Sequence, residues 1–380
     1  MFVRITVYLC MVWMNAYNTL RVQQVLLLVV ILLAFSCSAY RATVLEEDGI
    51  YIYDKIEIGG VSQSVMVRGT DKNNPVMVYL HGGPGYPLFP LDPSAPLGWD
   101  EHEGLLMQRL EESFTMVYWE QRGTGRSFSW RLPDDSMTVD RFVEDTRELT
   151  DYVTGLLGKE KVFLWGHSWG SNVGALFASR YPEVLHAYVS TGQSVNPYQN
   201  ERLCYEFVLE KALEENNRRA LRQLERVDTL PENYGVRDAL LVRRWVFHYG
   251  GIVHEGADER PYVDIGDVWR TLTAPQYSLI DKINLALKPY YSINQLWDPL
   301  KELDLTRDAP RIEVPVFFLV GRHDVIVSAR LAEEYFHMLE APAGKTLIWF
   351  ENSAHRPYHE EPDQFLDVMI GKVRQVAGPS

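Results

Sequence analysis

Apolar residues recur along this chain in two rhythms. Short unbroken runs at 76–80, 114–119, 161–165, 185–190, 315–320 and 346–350 have the length and content of strands buried on both faces. Between them lie stretches with helical spacing. In 139–157 the apolar positions are 139, 142, 143, 149, 152, 153, 156 and 157, one face of a helix that Gly158 should stop. Residues 171–180 are small and apolar, as in a buried helix ended by Pro182, and 329–339 and 362–376 continue the series. Upstream, 51–58 and 61–68 flank Gly59-Gly60 and predict a β-hairpin. Strand–helix alternation means a mostly parallel sheet with helices on both faces.

The rhythm breaks after the strand at 185. From 194 to 308 nothing alternates. Residues 201–227 predict a charged amphipathic helical stretch, and aromatic clusters follow at 244–249 and 288–292. The expected division is therefore 1–39 as a leader, 40–193 as the first part of an α/β core, 194–308 as an inserted helical cap and candidate lid, and 309–380 as the second part of the core.

The leader changes the picture of where the protein acts. Residues 25–35 are uninterrupted apolar, Arg21 stands just upstream, and Ser36-Cys37-Ser38-Ala39 follow. Basic residue, apolar stretch and small residues in that order describe an export signal, lipidated at Cys37 or not. A retained membrane anchor is the other reading, although the run is about half the length of a spanning helix. Translation from Met11 or Met14 would shorten the leader. The expected location is exported or membrane-associated.

Composition narrows the function classes. The 380 residues are 46% hydrophobic and 23% charged, as in a globular protein. Net charge is −14; without the first 38 residues, whose only charges are Arg4 and Arg21, 35 basic residues face 51 acidic ones, or −16. That balance argues against a nucleic-acid partner. Cys10, Cys37 and Cys204 are too few for a disulfide framework or a cysteine-rich metal site.

The chemistry is concentrated at Gly166-His167-Ser168-Trp169-Gly170, between an expected strand and an expected helix. A serine with glycines two places away on each side, in that setting, is a nucleophile elbow: the turn is tight and projects the hydroxyl from the sheet. Serine needs a base, and the base needs an acid to fix its tautomer. Asp324 follows the strand at 315–320 and His355 follows the strand at 346–350, so both fall at strand ends where ligands bind. Read alone, Asp324 is a cap for the helix near Ser328 and His355 a surface histidine; their joint placement in the order serine, acid, histidine makes a triad. His323 and His359 are competitors for the base. An oxyanion needs about two backbone N–H donors. Trp169 and Gly83 are the expected donors, with Gly82 second, from the glycine loop 81–85.

These motifs resemble the proline iminopeptidase family of α/β-hydrolases. The resemblance rests on His81-Gly82-Gly83-Pro84-Gly85, on Gln121-Arg122-Gly123 with Gly125 and Ser127, on the elbow, on Tyr181-Pro182-Glu183, and on Asp324 and His355. It spans about 75–190 and 315–362. It implies the hydrolase core, a serine peptidase releasing an N-terminal residue (often proline) beneath a helical cap, and no cofactor. The chain departs from the family at Glu120, where aspartate is usual, at Tyr86, where glycine often continues the loop, and in a cap lacking the family's Trp- and Glu-rich pattern. A substrate ammonium must meet a carboxylate. Glu201, Glu206 and Glu210 are candidates, against a solvated helix face as the ordinary explanation. The leading expectation is an exported aminopeptidase acting on small peptides. An esterase or amidase using the same triad is the alternative, and a binding protein on a retired hydrolase scaffold the third.

Overall fold

The computed structural model describes residues 48–85, 101–230, 232–254, 274, 276–288 and 290–378. The expected leader at 1–39 and Tyr86 lie outside the described residues. The described strands form one eight-stranded sheet in the order β1-β2-β4-β3-β5-β6-β7-β8. They are β1 (Ile50–Ile58), β2 (Val61–Gly69), β3 (Val76–Leu80), β4 (Thr115–Glu120), β5 (Val162–His167), β6 (Leu185–Thr191), β7 (Val316–Gly321) and β8 (Lys345–Phe350). β1 and β2 form the expected antiparallel hairpin, with Gly59 and Gly60 at φ 57° and 72°; the strands from β4 onward run parallel. The chain has the α/β-hydrolase fold.

Helices cover both faces, which is why the strand runs are continuously apolar. Val76, Val78 and Leu80 of β3 join one apolar cluster; Met77 and Tyr79, pointing the other way, join a second. On the first face pack α2 (Val139–Leu157), α3 (Trp169–Arg180) and α9 (Ala329–Met338). On the second pack α1 (Glu101–Glu111) and α11 (Pro362–Val368), the latter following the short α10 (Pro357–Glu360). α2 begins where Thr138 accepts a hydrogen bond from Arg141 N–H and ends at Gly158 in the left-handed conformation, as its sequence requires. α1 was not legible in the sequence, where weak apolar spacing follows a proline-rich stretch.

Between β6 and β7 the described residues contribute helices and no strand: α4 (Pro197–Glu214), α5 (Arg218–Leu224), α6 (Val236–His248), α7 (Leu279–Leu287) and α8 (Tyr291–Glu302). The helical stretch expected over 201–227 is divided between α4 and α5. Asn216 takes φ 53°, and the Asn217 side chain accepts from Ala220 N–H to start α5. Apolar spacing carried through the break because α4 and α5 bury their stripes in one cluster with α6.

Candidate active site

Ser168 joins β5 to α3 with φ 53° and ψ −120°, a backbone that non-glycine residues rarely adopt. The flanking glycines make the turn feasible. A Cβ on Gly170 would collide with the Leu80 carbonyl of β3, and one on Gly166 would meet the Gly170 carbonyl. Ser168 N–H donates to the Thr191 carbonyl at 3.0 Å, so the elbow is tied to the end of β6.

The glycine loop after β3 lies against the elbow: a Cβ on Gly82 would sit 3.1 Å from that of Ser168. Gly83 follows with φ 124°. Buried His81 anchors this loop. Its Nε2 accepts from Gln121 N–H at 3.2 Å, so its Nδ1–H donates to the Gly82 carbonyl at 2.8 Å. Burial pushes its pKa down to about 4, which keeps both roles fixed near neutral pH. Gln121 then bridges the two expected oxyanion donors' segments. Its amide N–H donates to the His81 carbonyl at 3.2 Å, and its carbonyl accepts from Trp169 Nε1 at 2.8 Å. Gln121 entered the sequence reading only as part of a motif; its bridging role depends on a side chain that crosses between two strand ends.

Arg122, next in line, is fully buried. It forms a two-point ion pair with Asp145 of α2, both contacts at 2.9 Å, and donates to the Gly59 carbonyl at 3.0 Å. The pair pins the loop after β4 to the core. Glu120 is also buried. It accepts from Arg126 N–H at 2.6 Å and from the Tyr277 hydroxyl. Burial pushes its pKa up to about 7, against the pull of those hydrogen bonds.

Asp324 and His355 meet. Nδ1 of His355 lies 2.9 Å from Asp324 Oδ2, and both side chains are buried. Asp324 Oδ1 accepts from Val327 N–H at 3.1 Å, while the cap of α9 is Ser328, whose hydroxyl accepts from Leu331 N–H. Asp324 is therefore not the helix cap. Burial, aided by Arg356 and Arg243, lowers the His355 pKa to about 3 and holds the imidazole neutral. Its ring lies 4.7 Å from that of His167, whose chain neighbour is Ser168. Gly192, next to Thr191, has room for no side chain because His355 occupies that space. The competitors lie elsewhere: His323 stacks on His254 at 3.6 Å, and His359 sits in α10.

Chain from the helical region straps these loops. The Gly251 carbonyl accepts from Val325 N–H at 3.0 Å, and the Ile252 carbonyl from His355 N–H at 3.0 Å. Glu360 closes the strap, accepting from His254 N–H at 2.7 Å and Ala354 N–H at 2.9 Å. Of the three candidate carboxylates, Glu206 and Glu210 are exposed. Glu201 alone is buried, and it is engaged: Arg243 lies 2.5 Å away, and the Tyr234 hydroxyl donates at 3.0 Å. Its neighbours on α4 face the acid loop, Asn200 donating to the Ile326 carbonyl and Cys204 to the Val325 carbonyl.

A sheet of this order carrying a serine on a strained turn after its fifth strand defines an α/β-hydrolase, and the alpha/beta hydrolase fold family matches residues 75–230. Among relatives, the probable aminopeptidase YbaC of Bacillus subtilis (strain 168) is 32% identical over 330 residues, covering 87% of this chain and 98% of that protein. A proline iminopeptidase of Saccharolobus solfataricus is 25% identical, covering 86% and 90%. The crystal structure of a proline iminopeptidase from Mycobacterium smegmatis superposes with a TM-score of 0.59 at 17% identity, covering 86% of this chain and 98% of that one, a likeness of fold. The chain belongs to the proline iminopeptidase-like family of α/β-hydrolases and is a hydrolase.

Proposed function

We propose that this chain is an aminopeptidase of the proline iminopeptidase type, releasing an N-terminal residue from small peptides through an acyl-enzyme on Ser168. In this reading Ser168 attacks the carbonyl, and His355 takes its proton and returns it to the leaving amine. Asp324, bonded to His355 Nδ1–H, fixes the tautomer that leaves Nε2 free to act as base. The N–H groups of Gly83 and Trp169 receive the oxyanion, with Gly82 alongside. The observation that carries the reading is the 2.9 Å contact between buried His355 and Asp324, at the sheet rim that also bears Ser168. The names of the relatives support a peptide substrate. Segment 194–308 serves as the cap, supported by hydrogen bonds from Ser292 to the Gly123 carbonyl and from Tyr277 to Glu120. The leader at 1–39 places the enzyme outside the cytoplasm, as a secreted, lipidated or anchored protein.

A second reading, hydrolysis of small esters or amides, is favoured by one observation. Arg243 already balances Glu201, so none of the three candidate carboxylates offers an inward-facing charge to an ammonium without competition. The two separate on substrates. Turnover of aminoacyl nitroanilides with a free amine, and little of their N-blocked counterparts or of short-chain esters, is the expected result; the reverse preference would establish the second reading.

A further inference from the structure

Helix α7 turns the wrong face to solvent for a surface helix. Ile280, Ile283 and Leu287 are 58%, 39% and 63% exposed, while Asp281, Lys282 and Asn284 are buried. Ordinary amphipathic helices do the opposite. The inverted orientation is locked by the polar side. Asp281 caps the helix by accepting from Ser278 N–H at 2.9 Å and pairs with Arg126 at 3.9 Å; Asn284 accepts from Trp130 Nε1 at 2.9 Å. Trp130 and Tyr290, 60% and 47% exposed, extend the apolar stripe, and Lys288 lies 5.1 Å over the Trp130 ring. A recess of about 460 Å³, lined in part by Trp130, Leu287 and Tyr290, opens in the same patch.

We propose that this stripe is a membrane-contacting surface, with α7 lying against the lipid bilayer to which the apolar leader holds the chain. The composition fits: aliphatic side chains to enter the acyl boundary, with Trp, Tyr and Lys at the depth of the headgroups. The sequence supplies the second half of the attachment in its apolar run at 25–35. Residues 36–49, which join that run to β1, reach up to about 45 Å when extended. β1, which follows them, runs close to this patch: the Tyr53 ring lies 4.6 Å from Arg126, the partner of Asp281. A net charge of −14 disfavours anionic lipid, so the fitting surface is zwitterionic and the contact apolar. This surface rests on the retained-anchor reading of the leader and is independent of which bond the enzyme cleaves.

The test uses the full chain with Cys10→Ser and Cys37→Ser, a fluorophore on Ile283→Cys, and phosphatidylcholine vesicles containing nitroxide-labelled lipid. Met338→Cys, on α9 and 58% exposed against 39% for Ile283, carries the fluorophore in a parallel sample. Quenching at 283 is expected to exceed that at 338 about threefold or more, and Leu287→Glu, at an exposed position, is expected to remove the excess. Equal quenching at both positions, or none at either, would overturn the proposal. So would a signal at 283 that follows protein concentration in lipid-free samples, which would assign the stripe to a second copy of the chain.

Discussion

The rim of the sheet and the helical region between β6 and β7 handle buried polar groups in different ways. At the rim, several polar side chains are held by backbone groups of adjacent loops, His81 by Gln121 N–H and the Gly82 carbonyl, Asp324 by Val327 N–H and Glu360 by two N–H groups, beside side-chain ties such as Asp324 with His355 and Gln121 with Trp169. In the helical region Asn200, Cys204 and Ser292 reach backbone carbonyls of the rim loops, Glu201 is tied to the distant side chains of Arg243 and Tyr234, and the buried polar atoms of Lys282 and Gln276 have no hydrogen-bond partner. Backbone-anchored groups have one geometry and suit chemistry. The difference teaches that the rim is fixed largely by its own backbone, whereas the helical region leaves buried polar groups that its own packing does not satisfy.

The comparison breaks most visibly at the rim. Ser168→Ala is expected to lower turnover by about 10⁴-fold or more and to abolish fluorophosphonate labelling, with the urea midpoint nearly unchanged. Loss of folding instead would make the elbow a structural turn. Arg122→Met leaves the buried Asp145 carboxylate with only Arg141 and the Gln63 amide as partners, and should cost about 3–5 kcal/mol in equilibrium unfolding. A cost near zero would show that the loop is not anchored by that pair.

Glu120 lies at the junction of the two regions and gives a pH signature. Its pKa in the fold is about 7 against an ordinary value of 4.5, so the folded state binds the extra proton. Stability is therefore greatest below about pH 4.5 for this group and falls as pH rises through 7, by about 3 kcal/mol in all. Glu120→Gln should flatten that fall in denaturant midpoints measured across pH 4.5–7.5. The smallest effects sharpen the comparison within α4. Glu201→Gln should raise KM for free-amine substrates several-fold with little change in kcat, whereas Glu206→Gln should change neither. Equal effects from the two would remove Glu201 from the substrate's surroundings.

Much of the rim was legible because its requirements are local. Gly166 and Gly170 are needed by steric collision within a few residues of Ser168, and Gly158 by the left-handed end of α2. Asp324 and His355 could be placed because parallel strands deliver their following residues to one edge. The helical region resisted the same reading. Apolar spacing over 201–227 did not reveal the break at Asn216, since both pieces bury the same stripe. The three acidic candidates on α4 looked alike, yet only Glu201 turns inward, a matter of which helix face meets α6.

By itself, then, the order of residues determined the strand–helix succession, the strained serine turn and the placement of Asp324 and His355 after two neighbouring strands, because each follows from spacing along the chain or from steric limits on a few neighbours. Tertiary structure alone decided that Gln121 bridges the glycine loop to Trp169, that Arg243 balances Glu201, and that α7 faces outward with its apolar side. Those outcomes depend on side chains up to 157 residues apart arriving at the same place, as Tyr277 and Glu120 do. Spacing along one segment carries no information about the charge or shape it will meet on another.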